Sequence, residues 1–362
     1  LGPDGTLSDW DLSRPSPLFE PFASPGVAVS EFEDGVLTGS TTALQVTIDG
    51  QPSSLLETRG EVAQLLVLDS ARLAAVAYMP PTCTYPVYAC PYDIDVLDLE
   101  TGEASSTIPA SGDGRHFPLA SGQRLFTGTG IGQVRLHGIE SGKIELILED
   151  LAVESGLPLA GLAVLSGESG DRVAAITTDG AVGVWTIEGT TAALEDLVRI
   201  PGAQAVAWTS DGKVAIGLSD GQIQIVSPDQ LDTVELSLKG HHGGIQSLAS
   251  GPDPTVLASG DGDEVIVWDL ETQTVVLRLP QMLAPRFSRD GDRLLTSSPP
   301  GTEFGASGAW IFRSDEMFEQ IVGHDAIEVA LGQTGQQIQD IADEYPIQSF
   351  CGPFSGGRLQ LA

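Results

Sequence analysis

The chain has few basic side chains, few cysteines, few aromatics and no long apolar run, and each shortage removes a class of protein. Lysine and arginine together number 17 against 50 aspartates and glutamates, for a formal net charge of −33, and Lys143, Lys213 and Lys239 are the three lysines. A surface of that sign repels phosphate backbones, so no direct nucleic-acid binding is expected. The excess acid reads first as a solubilising surface and second as a docking surface for a basic partner. No apolar run reaches the roughly 18 residues of a membrane span, and no secretory signal is visible. Cys83, Cys90 and Cys351 are too few for a disulfide framework. Cys83 and Cys90 bracket six residues of one loop. Bridged, they would place the chain outside the cytoplasm; reduced, they are two loop thiols, and the cytoplasm is slightly favoured. Without neighbouring His or Cys they make no zinc site, and no metal or cofactor is expected.

What the chain does have is turns. It holds 43 glycines and 23 prolines beside 41% hydrophobic residues, a balance that suits many short strands joined by tight turns and not disorder. Apolar runs bounded by Gly, Asp and Pro recur along its length, at strand length. Asp-Gly pairs favour tight hairpins because both residues tolerate positive φ. No long amphipathic helix is apparent. The stretch 325–344 has some helical composition but also fits two strands around Gly332-Gln333-Thr334-Gly335.

The most informative segment runs from Ala258 to Leu270: a strand, the acidic turn Asp261-Gly262-Asp263-Glu264, and a second strand ending in Trp268-Asp269. Gly240-His241 lies upstream, with 26 residues between the two pairs. A Gly-His start, a core of this length and a Trp-Asp end resemble one blade of the WD40 family. Looser copies of the Trp268 position fall near 10, 48, 97, 137, 185, 226 and 312, close to the family period of about 40–45 residues. Thr209-Ser210-Asp211-Gly212 and Ser288-Arg289-Asp290-Gly291 look like the turns between the first two strands of a blade. The resemblance implies an all-β fold: a single β-propeller domain over 1–362, built of four-stranded antiparallel blades. Seven units can be drawn between about 25 and 324. Strands from about 1–24 and 325–362 would close the ring as one more blade, so eight blades are favoured, with seven as the alternative. The start at Leu1, without Met and inside a blade pattern, fits a processed product or, better, a fragment of something longer.

The resemblance also implies a structural role for residues that look catalytic. A blade ties together a His before its first strand, a Ser or Thr, an Asp in the turn before its third strand, and the Trp. This carries to His241, Ser259 and Trp268, with either Asp261 or Asp263 as the acid, and elsewhere to Asp4 before Trp10, Asp179 before Trp185 and Asp220 before Val226. A buried indole N–H and an imidazole need partners, whatever the family. A Ser-His-Asp nucleophile is disfavoured because the repeat explains every member and no strained nucleophile elbow accompanies them. His116, His242 and His324 fall outside these slots, and no paired-His spacing suited to a catalytic metal occurs. The 261–264 turn is too short for an EF-hand loop. Quinone-dependent propeller dehydrogenases are rich in Trp docking motifs, whereas this chain has five Trp.

One loop exceeds what a blade needs. Residues 79–92 follow Tyr78, and four of the five tyrosines lie between 78 and 92 together with four prolines and two cysteines. A hairpin turn takes about two to five residues, and long loops are commonly functional. Tyr85, Tyr88 and Tyr92 offer amphipathic contact area at small entropic cost. A second insertion, 297–308, carries Phe304 and occupies the same connection of its own blade. Both are expected on the face shared with the Gly-His loops. The expected function is a non-enzymatic scaffold that binds a protein or peptide on that loop face, as the regulatory propeller of a larger bacterial protein. The alternatives are an extracytoplasmic propeller that binds a small molecule or hydrolyses one, and a structural subunit of a large assembly.

Overall fold

The computed structural model describes residues 124–167, 170–251 and 253–280 continuously, and elsewhere between residues 6 and 313 chiefly the strands. Among the described residues there are thirty strands and one short helix, Asp150–Glu154 (α1). The strands form seven four-stranded sheets and one two-stranded pair. Six of the seven are simple antiparallel meanders in which each strand bonds the next in sequence. They span 28–57, 62–108, 119–148, 159–199, 203–239 and 247–280. The seventh joins Leu283–Phe287, Arg293–Ser297 and Ala309–Arg313 to Asp9–Trp10 from the other end of the chain, which runs parallel to Ala309–Arg313. This is the blade architecture of a β-propeller.

Trp10 thus lies on a fourth strand beside Phe312, not at the end of a third strand. The other slots are third-strand residues, in Ala43–Ile48, Asp93–Asp98, Val134–Gly138, Ala181–Glu188, Gln222–Ser227, Glu264–Asp269 and Ala309–Arg313. A recurring irregularity fixes their register. The third and fourth strands slip by one residue immediately before Leu97, His137, Trp185, Val226 and Trp268. In the 28–57 sheet the slip falls before Thr47, so Thr47 and not Ile48 is the equivalent residue there. The C-terminal strands expected from 325 onward, and with them an eighth blade, lie outside the described residues, as do Asp4, His116 and His324.

Neighbouring sheets pack face to face through apolar layers. One cluster joins Ile223 and Ile225 to Leu257, Ile266 and Trp268; another joins Ala174 and Val184 to Val206 and Ile216. Further clusters bridge each successive pair from 28–57 to the strand that carries Leu294. Arg293–Ser297 in turn comes up against Ala28–Phe32 of the first sheet. The second strands are small and branched, as in Val214–Leu218 and Val256–Gly260, whose residues are all buried. Such strands lie between two sheets and have no solvent face, so they read as continuous apolar runs.

Ile266 is fully buried between two sheets. Ile266→Ala is expected to cost about 2–5 kcal/mol in urea-induced unfolding. Val275→Ala, on an exposed fourth-strand position, should stay within about 0.5 kcal/mol of the parent.

Candidate functional site

The polar centre of the molecule lies at one end of the 247–280 sheet. Trp268 ends a third strand with its ring buried, and its Nε1–H donates to Ser259 Oγ at 2.7 Å. Ser259 Oγ is 2.6 Å from His241 Nε2. The Asp261 carboxylate can only accept, so Nε2 takes the Ser259 hydroxyl proton and the imidazole carries its own proton on Nδ1. That nitrogen lies 3.2 Å from Asp261 Oδ2, as a close contact off the ring N–H axis and not an aligned hydrogen bond. Asp261 accepts backbone N–H groups from Gly243 at 3.1 Å and from Asp263 and Glu264 at 3.0 Å each. The acid of the network is therefore Asp261. Asp263 contributes only its main-chain N–H.

The local sequence permits this arrangement at two glycines. A β-carbon on Gly240 would lie 2.8 Å from the Trp268 ring, which explains the glycine before His241. Gly221, with φ +84°, would place a β-carbon 2.9 Å from the carbonyls of His241 and Gly243; its left-handed backbone is one that glycine adopts without strain. Arg278 closes the outside, bonding Glu264 Oε1 at 2.7 Å and the Gly240 carbonyl at 3.1 Å.

Burial lowers the His241 pKa below its usual 6.5, although Asp261 and Glu264 oppose this. Burial alone would raise Asp261, but the backbone N–H groups of Asp263, Glu264 and Gly243, together with His241, pull it down to about 2. The side-chain atoms of His241, Asp261 and Glu264 lie within 4.8 Å of one another, close enough for a cation in principle. Each carboxylate is already engaged, Asp261 by three N–H groups and Glu264 by Arg278. Ser259 is fully buried and its oxygen is held by the indole, so no substrate can reach it as a nucleophile.

The slots of other sheets are filled differently. His137 occupies its own slot, with Nε2 3.0 Å from Thr127 Oγ1 and Nδ1 3.4 Å from the Gly142 carbonyl. Burial lowers its pKa as well. Trp185 Nε1 donates at 2.8 Å to Asp150 Oδ2 on α1, and not to a strand hydroxyl. Asp179 is separate from Trp185: it accepts from Ser155 Oγ at 2.7 Å, Thr177 Oγ1 at 2.6 Å and Arg199. Burial would raise its pKa, but these bonds hold it far below the usual carboxylate range. Asp220 accepts from the main chain and side chain of Gln222, while Val226 in that sheet is apolar and fully buried.

The contact of His241 with Asp261 shows that the connections between sheets and the connections from second to third strand meet at one end. Both insertions leave from that end, at the paired residues Tyr78 and Asp93 and at Ser297 and Ala309. Arg59, from the connection ahead of the 62–108 sheet, stacks over Tyr78 at 4.8 Å and pairs with Asp93 at 3.2 Å and Asp95 at 2.8 Å. Tyr85, Tyr88, Tyr92, Phe304, Cys83 and Cys90 lie outside the described residues. The opposite end has a cleft of about 470 Å³ beside Arg172, Thr186, Glu195 and Ser210. Its charged groups are paired with each other: Arg172 pairs with Glu195 at 2.5 Å, reaches the Gly212 carbonyl at 3.4 Å and lies 4.9 Å over the Trp208 ring.

Residues 233–269 match the family model described as "WD domain, G-beta repeat". Residues 233–269 thus carry a WD40 repeat. The match takes in His241, Ser259, Asp261 and Trp268, the four side chains of the network. No curated protein matches the sequence significantly. Among solved structures, the computationally designed Ika8 protein is similar with a TM-score of 0.60, over 85% of this chain and 90% of that one, at 18% identity. At that identity the likeness speaks for the fold alone. Among the described residues, no helix is long and apolar enough to cross a membrane.

The sign of the pH response follows from these shifts. A histidine lowered in the fold contributes stability that is full above its unfolded value and is lost as pH falls below 6.5. Asp261, lowered to about 2 from 3.8, loses its contribution between those two values. His241→Gln is expected to flatten stability between pH 6.5 and the folded pKa. Urea titrations of parent and variant across that window check this: the parent should lose at most about 1.4 kcal/mol per pH unit from this group, and the variant should lose less.

Proposed function

We propose that this chain is a non-enzymatic protein-interaction scaffold that binds a protein or peptide at the end of the sheets where His241 meets Asp261. WD40 repeats generally mediate protein–protein contacts, and the repeat at 233–269 supports that reading. The observation that carries it is the placement of the insertions. Two connections far longer than a hairpin requires leave from one end of a rigid stack, and the stem of the first is pinned by Arg59. Binding residues on loops held by a rigid framework are the common arrangement. Tyr85, Tyr88, Tyr92 and Phe304 are the proposed contact residues. Tyr78, at the stem, is buried against Arg59 and its phenol is pushed up to about 12 by burial and by Asp95, so it serves as an anchor and not as an acid.

A hydrolytic reading finds no support in the geometry. Among the described residues, the Ser-His-Asp set of Ser259, His241 and Asp261 is buried beneath Trp268, and the cleft at the other end has its charges neutralised internally. For the ring itself, seven blades are our reading. Asp9–Trp10 supplies the fourth strand of the last sheet, and that sheet in turn meets the first. Full closure removes sheet edges that would otherwise invite pairing.

An affinity capture from native lysate, read by mass spectrometry, compares the intact chain with a variant carrying Tyr85→Ala, Tyr88→Ala and Phe304→Ala. The expected result is a partner retained by the parent and lost by the variant. A partner captured equally by both would remove these residues from the binding face.

A further inference from the structure

A second feature of the same end is an exposed apolar surface centred on α1. The helix interrupts the connection between Ile144–Leu148 and Leu159–Gly167. One turn of helix is not stable alone, and two contacts hold this one. Leu151 is fully buried in a cluster with Phe126 and Trp185, and Asp150 accepts the Trp185 indole N–H. That anchoring leaves Val153 85% exposed. Ile131 and Leu157 are also exposed, at 41% and 42%. The three belong to one surface: a β-carbon on Gly132 would lie 3.0 Å from the Leu157 carbonyl and 3.3 Å from Ala152 Cα. The turn bearing Ile131, the helix bearing Val153 and the segment bearing Leu157 therefore touch.

Single exposed apolar side chains are ordinary; three on segments that touch offer an apolar surface that a partner can cover. The rim decides what it contacts. Glu149 and Glu154 are exposed, with Asp150 and Asp179 beside them. Arg199 pairs with both Asp179 and Glu154 and so offsets only part of this charge, while Arg135 is held by the side chain of Gln133. We propose that this surface docks a partner's peptide segment whose aliphatic side chain is flanked by lysine or arginine. The aliphatic group covers Val153, Ile131 and Leu157, and the basic flanks meet the rim's excess negative charge, at Glu149 first. A second copy of the chain is disfavoured, because it would bring an equally acidic rim against this one at a net charge of −33. The inference rests on the scaffold reading above and adds the chemistry of the partner.

The test offers the intact chain a phage-displayed library of short random peptides, then measures a labelled selected peptide by fluorescence anisotropy. Selected sequences should place Lys or Arg around an aliphatic residue, and affinity should fall as salt rises. Val153→Lys, at so exposed a position, should leave thermal stability unchanged and weaken binding at least about tenfold, as expected of an anchor contact. Peptides without basic residues, or peptides that bind Val153→Lys as tightly as the parent, would overturn the proposal. If such peptides instead lose binding on Tyr85→Ala with Tyr88→Ala, the scaffold reading stands and this surface is not its site. A library that yields no binder contradicts both. Sedimentation that shows a dimer abolished by Val153→Lys would also overturn it, in favour of a second copy.

Discussion

The indole N–H of Trp268 must find an acceptor inside the protein, and the hydroxyl of Ser259 is that acceptor. An indole N–H buried without a partner costs roughly 1–3 kcal/mol, and Trp268 is 1% exposed. Ser259 Oγ, while accepting from Trp268, also has a proton to give, and His241 Nε2 is within reach. The imidazole then keeps its own proton on Nδ1, in close contact with Asp261 but not in an aligned hydrogen bond. Asp261, held ionised by main-chain N–H groups from two different loops, then locks the connection from the preceding sheet onto the turn of its own. One buried donor is thus linked through four side chains to the two loops at this end of the 247–280 sheet.

Other sheets meet the same demand by other means, and the differences create the surface features. Val226 and Leu97 fill their slots with carbon alone and need no acceptor. His137 takes Thr127. Trp185 draws its acceptor from α1. The helix and its exposed Val153 therefore follow from a buried tryptophan that lacks a strand hydroxyl. Interior satisfaction and exterior decoration are linked at this position, so a change at Trp185 should be felt at the surface.

Much of this was legible in the residues. Strand positions follow from Asp-Gly turns and a period near that of a blade, because each unit must bury the same two faces. His241, Ser259 and Trp268 were identifiable because their spacing is that of the repeat. Asp261 and Asp263 were indistinguishable, since either side chain could turn inward from so short a loop. Only the direction of the main-chain N–H groups, a property of the folded turn, selects Asp261. The partnership of Trp185 with Asp150 spans 35 residues and depends on one turn of helix with no repeating apolar pattern to reveal it. Thr47 for Ile48 is a one-residue error of the kind that a bulge introduces. Trp10 looked like a slot residue because Asp-Trp-Asp imitates the blade ending, but its strand pairs with the last sheet.

The account's central claim is that Ser259 and Asp261, which do not touch, act as one unit through His241. A double-mutant cycle of Ser259→Ala and Asp261→Asn, measured by urea unfolding near pH 7.5, tests it directly. The account predicts a coupling energy of about 1 kcal/mol or more, with the second substitution costing less once the first is present. Additivity within about 0.3–0.5 kcal/mol would contradict it, and would mean that the two residues stabilise their loops independently.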